Sequence, residues 1–310
     1  MRPDLRSFRV KDHYLIGANV DMHVVVLQPD ARSVTYDVDF EADCMHRFFL
    51  SQDGGLLAAA FAFEAFCCVE VVDLSRNPII TPESREAATV LRIDRVHALD
   101  VRIAPTGETL LYWRHGARSG TYAVHVPSGQ RQKLAGVTFP TKGAWMTDSV
   151  MLPFDRRSGG VRVSYWPLTV SAVPLPSKTE VWQLIEHPSA EIVAMIDAEG
   201  QVAALHADTL EPLWQRRIAE TDWISYSGDG RFIAVRQSAP AGGPVERIVV
   251  LDASSGEIAR TIEQPEQALF PLDGPRFLCY SGRFLNAETG EFEEGVSAPG
   301  FWDRVLKRRP

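Results

Sequence analysis

The sequence has few reactive groups and no stretch suited to a membrane. Its 310 residues contain no run of 18 apolar side chains, the length a helix needs to cross a bilayer. The best apolar candidate, residues 56–69, is broken by Glu64, and residues 1–17 mix Arg with Asp where a signal peptide would need an apolar core. There are four cysteines, Cys44, Cys67, Cys68 and Cys279, without C-x-x-C spacing. Cys67 and Cys68 are adjacent, so on a strand they point to opposite faces and do not pair. Buried, reduced thiols in a cytoplasmic protein are the expectation. Also missing are a Gly-x-Ser-x-Gly elbow, a P-loop, a His-Glu-x-x-His pair and a Gly-x-Gly-x-x-Gly turn between strand and helix. No cofactor is expected. Positive charge is in deficit: the net charge is −8, which repels phosphate backbones and anionic headgroups. That argues against nucleic acid and membranes as partners, and its field would steer a basic protein toward the surface.

What the chain does have is repetition. Residues 221–262 show one complete unit: a short apolar segment at 223–226, the turn Ser227-Gly228-Asp229-Gly230, β-rich runs at 232–235 and 248–251, the turn Asp252-Ala253-Ser254-Ser255-Gly256, and a last run at 258–262. This reads as four antiparallel strands. Turns like the second one recur with first residues Gln28, Asp73, His125, Trp166, His206, Asp252 and Asn286, which is 258 residues in six intervals, or 43 on average. That period fits a four-stranded propeller blade. Asp or Asn at the first position accepts backbone N–H groups, and Gly at the fifth takes positive φ at little cost. Val170 and Leu210 stand where Gly is expected, so turns of another type are expected there. His125 and His206 hold the turn-capping position. A second landmark is the turn between strands one and two, at Ser51–Gly55, Ala104–Gly107 and Ser227–Gly230.

These short motifs resemble the S-P-D-G and D-x-x-[ST]-G turns of bacterial YVTN-type and WD40-like repeats. The resemblance implies an all-β fold, a seven-bladed β-propeller of four-stranded antiparallel blades. Its blades would run over 5–38, 44–81, 95–134, 141–175, 180–218, 221–262 and 266–296, in one domain of 1–297 with a tail at 298–310. Residues 5–10 would form the innermost strand of blade one or join the last blade. One or two helical turns are expected within 81–92. The stretch from His206 to Trp214 resembles a quinoprotein-type repeat, in which the Trp docks one blade on the next; a single unit carries it.

Within that frame Trp145, Trp182 and Trp223 fall near the start of the first strand in three consecutive blades. Each would be a packing wedge or part of an aromatic contact surface. The loops between strands two and three of blades three and four carry Arg114, His115, Arg118, Arg156 and Arg157. They are solvated tips or a clamp for carboxylate or phosphate. Asp37, Asp39, Glu41 and Asp43 form an acidic strip. Phe301, Trp302, Val305 and Leu306 share one helical stripe in the tail, which docks on the propeller or on a partner. His46 and His97 lie near inner strands, without a metal-like set around them.

The expectation is a monomeric, non-enzymatic propeller that binds a protein partner on its loop face, a basic one being what the charge favours; an immunity or antitoxin-type inhibitor is one version. The competing reading is a channel-mouth hydrolase, a metal-dependent lactonase or esterase using Asp100, Asp148, Glu186 and Asp222. A structural propeller in a larger assembly would instead expose apolar blade edges.

Overall fold

A computed structural model describes residues 9–10, 13–18, 23–27, 33–38, 44–51, 55–62, 67–74, 79–80, 82–116, 118–137, 139–146, 148–165, 167–238, 247–263, 269–271, 274–279 and 283–293. The chain is an all-β propeller. Its strands form seven sheets, numbered I to VII in chain order. Sheet I holds Arg9–Val10, His13–Ala18, His23–Leu27 and Ser33–Val38. Sheet II holds Cys44–Leu50, Leu56–Ala62, Cys67–Asp73 and Thr89–Asp94. Sheet III is Ala98–Ile103, Thr109–Arg114, Gly120–His125 and Arg131–Leu134. Sheet IV is Ala144–Trp145, Ser149–Pro153, Gly160–Ser164 and Thr169–Val173. Sheet V is Val181–Glu186, Ile192–Asp197, Gln201–His206 and Pro212–Arg217. Sheet VI is Thr221–Tyr226, Phe232–Gln237, Arg247–Asp252 and Ile258–Ile262. Sheet VII is Leu269–Pro271, Arg276–Cys279, Phe284–Asn286 and Phe292–Glu293.

The period of two along each second strand divides the core between neighbouring sheets. Leu110 and Tyr112 face sheet II, while Leu111 faces sheet IV. Val150 and Leu152 face III and Met151 faces V. Val193 and Met195 face IV while Ala194 and Ile196 face VI. Ile233 and Val235 face V and Ala234 faces VII. Sheets III to VI are therefore buried on both faces, which explains why their strands read as nearly continuous apolar runs.

Two sequence expectations need correcting, and one choice left open is decided. First, Asp73 begins no hairpin. After it the chain leaves sheet II, and Ile79–Ile80 pairs in parallel with Asp37 and Val38 as a fifth strand of sheet I. A helix at Pro82–Ala88 follows, and only Thr89–Asp94 closes sheet II. The second unit thus runs to 94 rather than 81. The expected helical turn lies inside it, because Glu70 anchors the excursion. Glu70 is fully buried and takes the Arg85 guanidinium of the helix at 2.7 and 2.9 Å, with Arg92 at 3.2 Å. Second, Arg9–Val10 pairs with His13–Ala18, so these two residues belong to sheet I.

Third, Leu210 builds the same turn as the glycines. Its N–H donates to His206 O at 2.9 Å, as Gly129, Gly256 and Gly290 donate to His125, Asp252 and Asn286 at 2.8 Å. Its φ is +60°, beside +67°, +70° and +77° for those glycines. The Leu210 side chain is buried among residues of sheets IV and V, and that packing holds a conformation otherwise costing about 1–2 kcal/mol. Val170, by contrast, lies on the fourth strand opposite Val163, and the turn before it is of a different type.

The unit that resembled a quinoprotein repeat does dock as that resemblance implied. Trp214 Nε1 donates to Ala253 O of sheet VI at 2.8 Å, and a Cβ on Gly256 would stand 2.5 Å from the indole. Arg260 does the same one sheet later, donating to Glu288 O at 2.8 Å beside Gly290. Leu91 lies nearest Gly129. Trp214 and Arg260 pair with Ala204 and Val250, each two residues before the turn of its own sheet, and Leu91 pairs with Val71, two residues before the point where the chain leaves sheet II. One repeat position, chemically different each time, joins a sheet to the next sheet's turn.

Candidate functional site

Strands two and three join at the end of each sheet where the first strand begins, so those loops share a face with the connections between sheets. Four first strands carry a bulge at that end. The extra residue is His46 in sheet II, Leu99 in III, Trp182 in V and Asp222 in VI.

This register separates the three tryptophans. Trp182 is the bulged residue, whereas Trp223 follows the bulge and pairs with Arg236. Trp182 packs among residues of sheets V and VI, Trp223 among those of VI and VII. Trp145 lies at the other end of its strand, beside the turn in which Met146 N–H donates to Ser149 O at 2.8 Å. It is 4% exposed and packs between sheets III and IV. Its Nε1 donates to Pro140 O at 3.2 Å, and Arg102 lies 5.0 Å above its ring. The indoles therefore do not gather, and Trp145 is a wedge.

The basic loop of sheet IV meets the connection that leaves sheet III. The Val137–Phe154 bridge and the Asp155 N–H to Gly136 O bond at 3.0 Å lay the sheet IV loop on the connection from sheet III. Arg157 covers the Phe154 ring at 3.8 Å. Further along that connection Phe139 stacks on Trp113 at 4.5 Å. Trp113 lies 5.9 Å from His115, whose ring meets His97 edge-on at 5.7 Å. The His115 N–H donates to His97 O at 2.8 Å, which fixes the start of the first strand against the loop.

Trp113, Phe139 and Arg114 are half-buried, while His97, His115, Arg118, Arg156 and Arg157 are exposed. Asp155 is 3.9 Å from Arg156, and among the described residues Arg118 and Arg157 have no carboxylate partner. Two aromatic and basic patches result, Arg157 with Phe154 on the sheet IV loop and Phe139, Trp113, His115 and His97 beside it, opposite in sign to the molecule's net charge. Trp113 and Phe139 were not among the sequence candidates. Trp113 immediately precedes Arg114, so alternation along the strand was the available signal; Phe139 had none, since its position depends on the path between sheets.

The four candidate carboxylates do not converge. Glu186 accepts Arg102 at 3.0 Å and the Trp145 N–H at 3.0 Å. Asp222 holds Arg236 through two bonds of 2.8 Å. Asp148 is exposed and accepts from Ser149 Oγ at 2.9 Å, while Asp100 is buried in sheet III. Among the described residues no three His, Cys, Asp or Glu side chains are placed to share a metal ion. His125 Nδ1 contacts Ser128 Oγ at 2.7 Å within its turn. The side chains of His46 and Asp37, residues 39–43 of the acidic strip, residues 239–246 and the tail at 298–310 lie outside the described residues.

No helix among the described residues is long and apolar enough to cross a membrane. No protein-family model matches the sequence, and no curated protein matches it. Solved propellers do. The chain is similar to the Cps50 (Swd1) β-propeller domain of Myceliophteria thermophila, with a TM-score of 0.60, 13% identity and 93% of each chain covered. It is also similar to dihydro-heme d1 dehydrogenase NirN in complex with DHE, with a TM-score of 0.55, 13% identity, 85% of this chain covered and 66% of that one.

Proposed function

We propose that the chain is a non-enzymatic, cytoplasmic binding propeller that holds a protein partner on the loop face of sheets III and IV. The observation that carries this reading is the ring path from Phe139 through Trp113 and His115 to His97, with Arg157 over Phe154 on the loop that pairs with the same connection. Aromatic rings with arginines around them are the composition of interface hot spots. Arg114, Arg118, Arg156 and Arg157 select a partner segment rich in carboxylates, because a guanidinium holds a carboxylate through two parallel hydrogen bonds. A partner that is basic elsewhere is drawn in by the acidic field, while its acidic segment meets this face. Trp182 and Trp223, half-buried at the same end of sheets V and VI, extend the contact. The turn motifs that resemble YVTN-type bacterial repeats support the same class of protein, and an inhibitor of immunity type is the specific version. A metal-dependent hydrolase is disfavoured because Glu186 and Asp222 are engaged by arginines.

Affinity capture from the native host tests this with three baits: wild type, an Arg118→Glu/Arg156→Glu/Arg157→Glu variant and a Trp182→Ala/Trp223→Ala variant. The charge reversal is expected to lose the partner and the tryptophan variant to weaken it. The same catch from all three removes the loop face from the argument.

A further inference from the structure

The longest stretch of the sequence without Asp, Glu, Lys or Arg is residues 163–177. It does not end in the core. Its second half, Thr169–Val173, is the outermost strand of sheet IV, and residues 169 to 172 are all exposed. The other six fourth strands each carry charge: Asp37, Arg92, Lys133, Arg216, Arg260 and Glu293 stand on sheets I, II, III, V, VI and VII. Charge on an edge strand is the usual protection against pairing with another chain, because it must be desolvated and repels its own kind. Of the four-stranded sheets, sheet IV alone lacks it, the edge of sheet I being the two-residue strand Ile79–Ile80, and Val170 stands 40% exposed on the sheet IV edge. A fifth strand at such an edge is compatible with this fold, since Ile79–Ile80 adds one to sheet I.

We propose that the sheet IV edge is a dimerisation surface, on which Thr169–Val173 of one copy pairs antiparallel with the same strand of a second copy. The sequence suits a two-fold axis through Ser171: Thr169 then faces Val173, Val170 faces Ala172 and Ser171 faces itself. Every such pair is small or β-branched and none brings like charges together. Pro167 and Pro174 bracket the strand. Neither has an N–H to donate, so pairing ends there and cannot slide. A partner of different sequence would need no such symmetry. The edge lies on the rim, away from the loop face, and its test is independent of that reading.

Sedimentation velocity over a range of concentrations measures the outcome for wild type, Ser171→Lys and Val170→Lys. Wild type is expected to form a dimer with a micromolar dissociation constant. The lysine at 171 meets its own copy across the axis and the lysine at 170 places a charge against Ala172 of the other copy, and each is expected to weaken the dimer at least about tenfold. Amides of 169–173 in wild type should exchange more slowly as concentration rises, and unchanged melting temperatures would show that the variants fold. A wild type that stays monomeric at about 200 μM, far above that range, overturns the proposal. So does a dimer indifferent to both lysines, or an open-ended series of oligomers.

Discussion

Glu70→Gln is the substitution that tests how the excursion from sheet II is held. Glu70 is fully buried, and its two oxygens take Arg85 from the helix at 2.9 and 2.7 Å and Arg92 at 3.2 Å. Gln keeps the shape but removes the charge. Arg92 is 41% exposed and keeps Asp94 at 2.7 Å, so its loss is small. Arg85 is 13% exposed and would lose the buried carboxylate that faces it while staying nearly buried. Breaking a buried pair typically costs 3–5 kcal/mol; the path of Arg85 to solvent places this case near about 3 kcal/mol. At roughly 2 °C per kcal/mol for a chain of this size, the melting temperature should fall by about 6 °C. Arg85→Met should cost a similar amount. The Glu70→Met/Arg85→Met double variant should cost clearly less than the two charge-removing single changes together, since it leaves no unpaired charge on the helix. Hydrogen exchange locates the effect: amides of Ile79 and Ile80, on the two-residue strand that pairs with Asp37 and Val38, should lose protection before the core strands do. A cost below about 1 kcal/mol, or unchanged exchange at 79–80 relative to the core, would refute the idea that this ion pair fastens sheet I to sheet II.

The remaining predictions are briefer. A Cβ on Gly230, where φ is +75°, would stand 2.2 Å from His187 Nε2; Gly230→Ala should cost about 2–3 kcal/mol in chemical denaturation, and His187→Ala in the same chain should recover part of it. Cys68 has its thiol pushed up to about 12 by burial, with the Glu70 charge adding to it. It should resist iodoacetamide at pH 8 until the protein unfolds. Because the folded value is the raised one, the neutral thiol's contribution is complete below the ordinary thiol range and is lost as pH climbs toward about 12. Cys68→Ala should therefore flatten the alkaline limb of stability. Asp252 is held below the usual carboxylate range by the Ser254 hydroxyl, with further bonds from Ser255 and the backbone of both. Its stabilisation is present above about pH 4 and is lost as pH falls through the depressed value. Asp252→Asn should remove that part of the acid limb while costing under about 1 kcal/mol at pH 7.

The two levels of this fold differed in how visible they were in the sequence. Turn chemistry was visible because it is local: Asp252 and Asn286 bond the N–H groups two and three residues ahead, and the glycine that follows needs positive φ. Those requirements marked the ends of units and gave the fold class. Pairing between distant strands left no such mark. Nothing near Asp73 shows that residues 79–80 join sheet I, since the partner strand lies some forty residues earlier. The bulges in the first strands were equally invisible. They offset Trp223 from Trp182 by one position, and a one-residue offset is enough to undo an alignment of side chains made by counting from the turns.

Leu210 and the rim contacts carry the same distinction further. Leu210 violates the local rule for its turn, yet it keeps the turn because its side chain is buried between two sheets. Leu91, Trp214 and Arg260 share a position and a target but no chemistry. In both cases the geometry repeats while the residue type drifts, since what is required is contact with the adjacent unit, and a methyl, an indole or a guanidinium can each supply it. The loop face follows the opposite rule. Its loops differ from sheet to sheet, and among the described residues those of sheets III and IV carry stacked rings and arginines. A surface that departs from the repeat, on a scaffold whose buried contacts keep to it, is where selection for a partner would leave its trace.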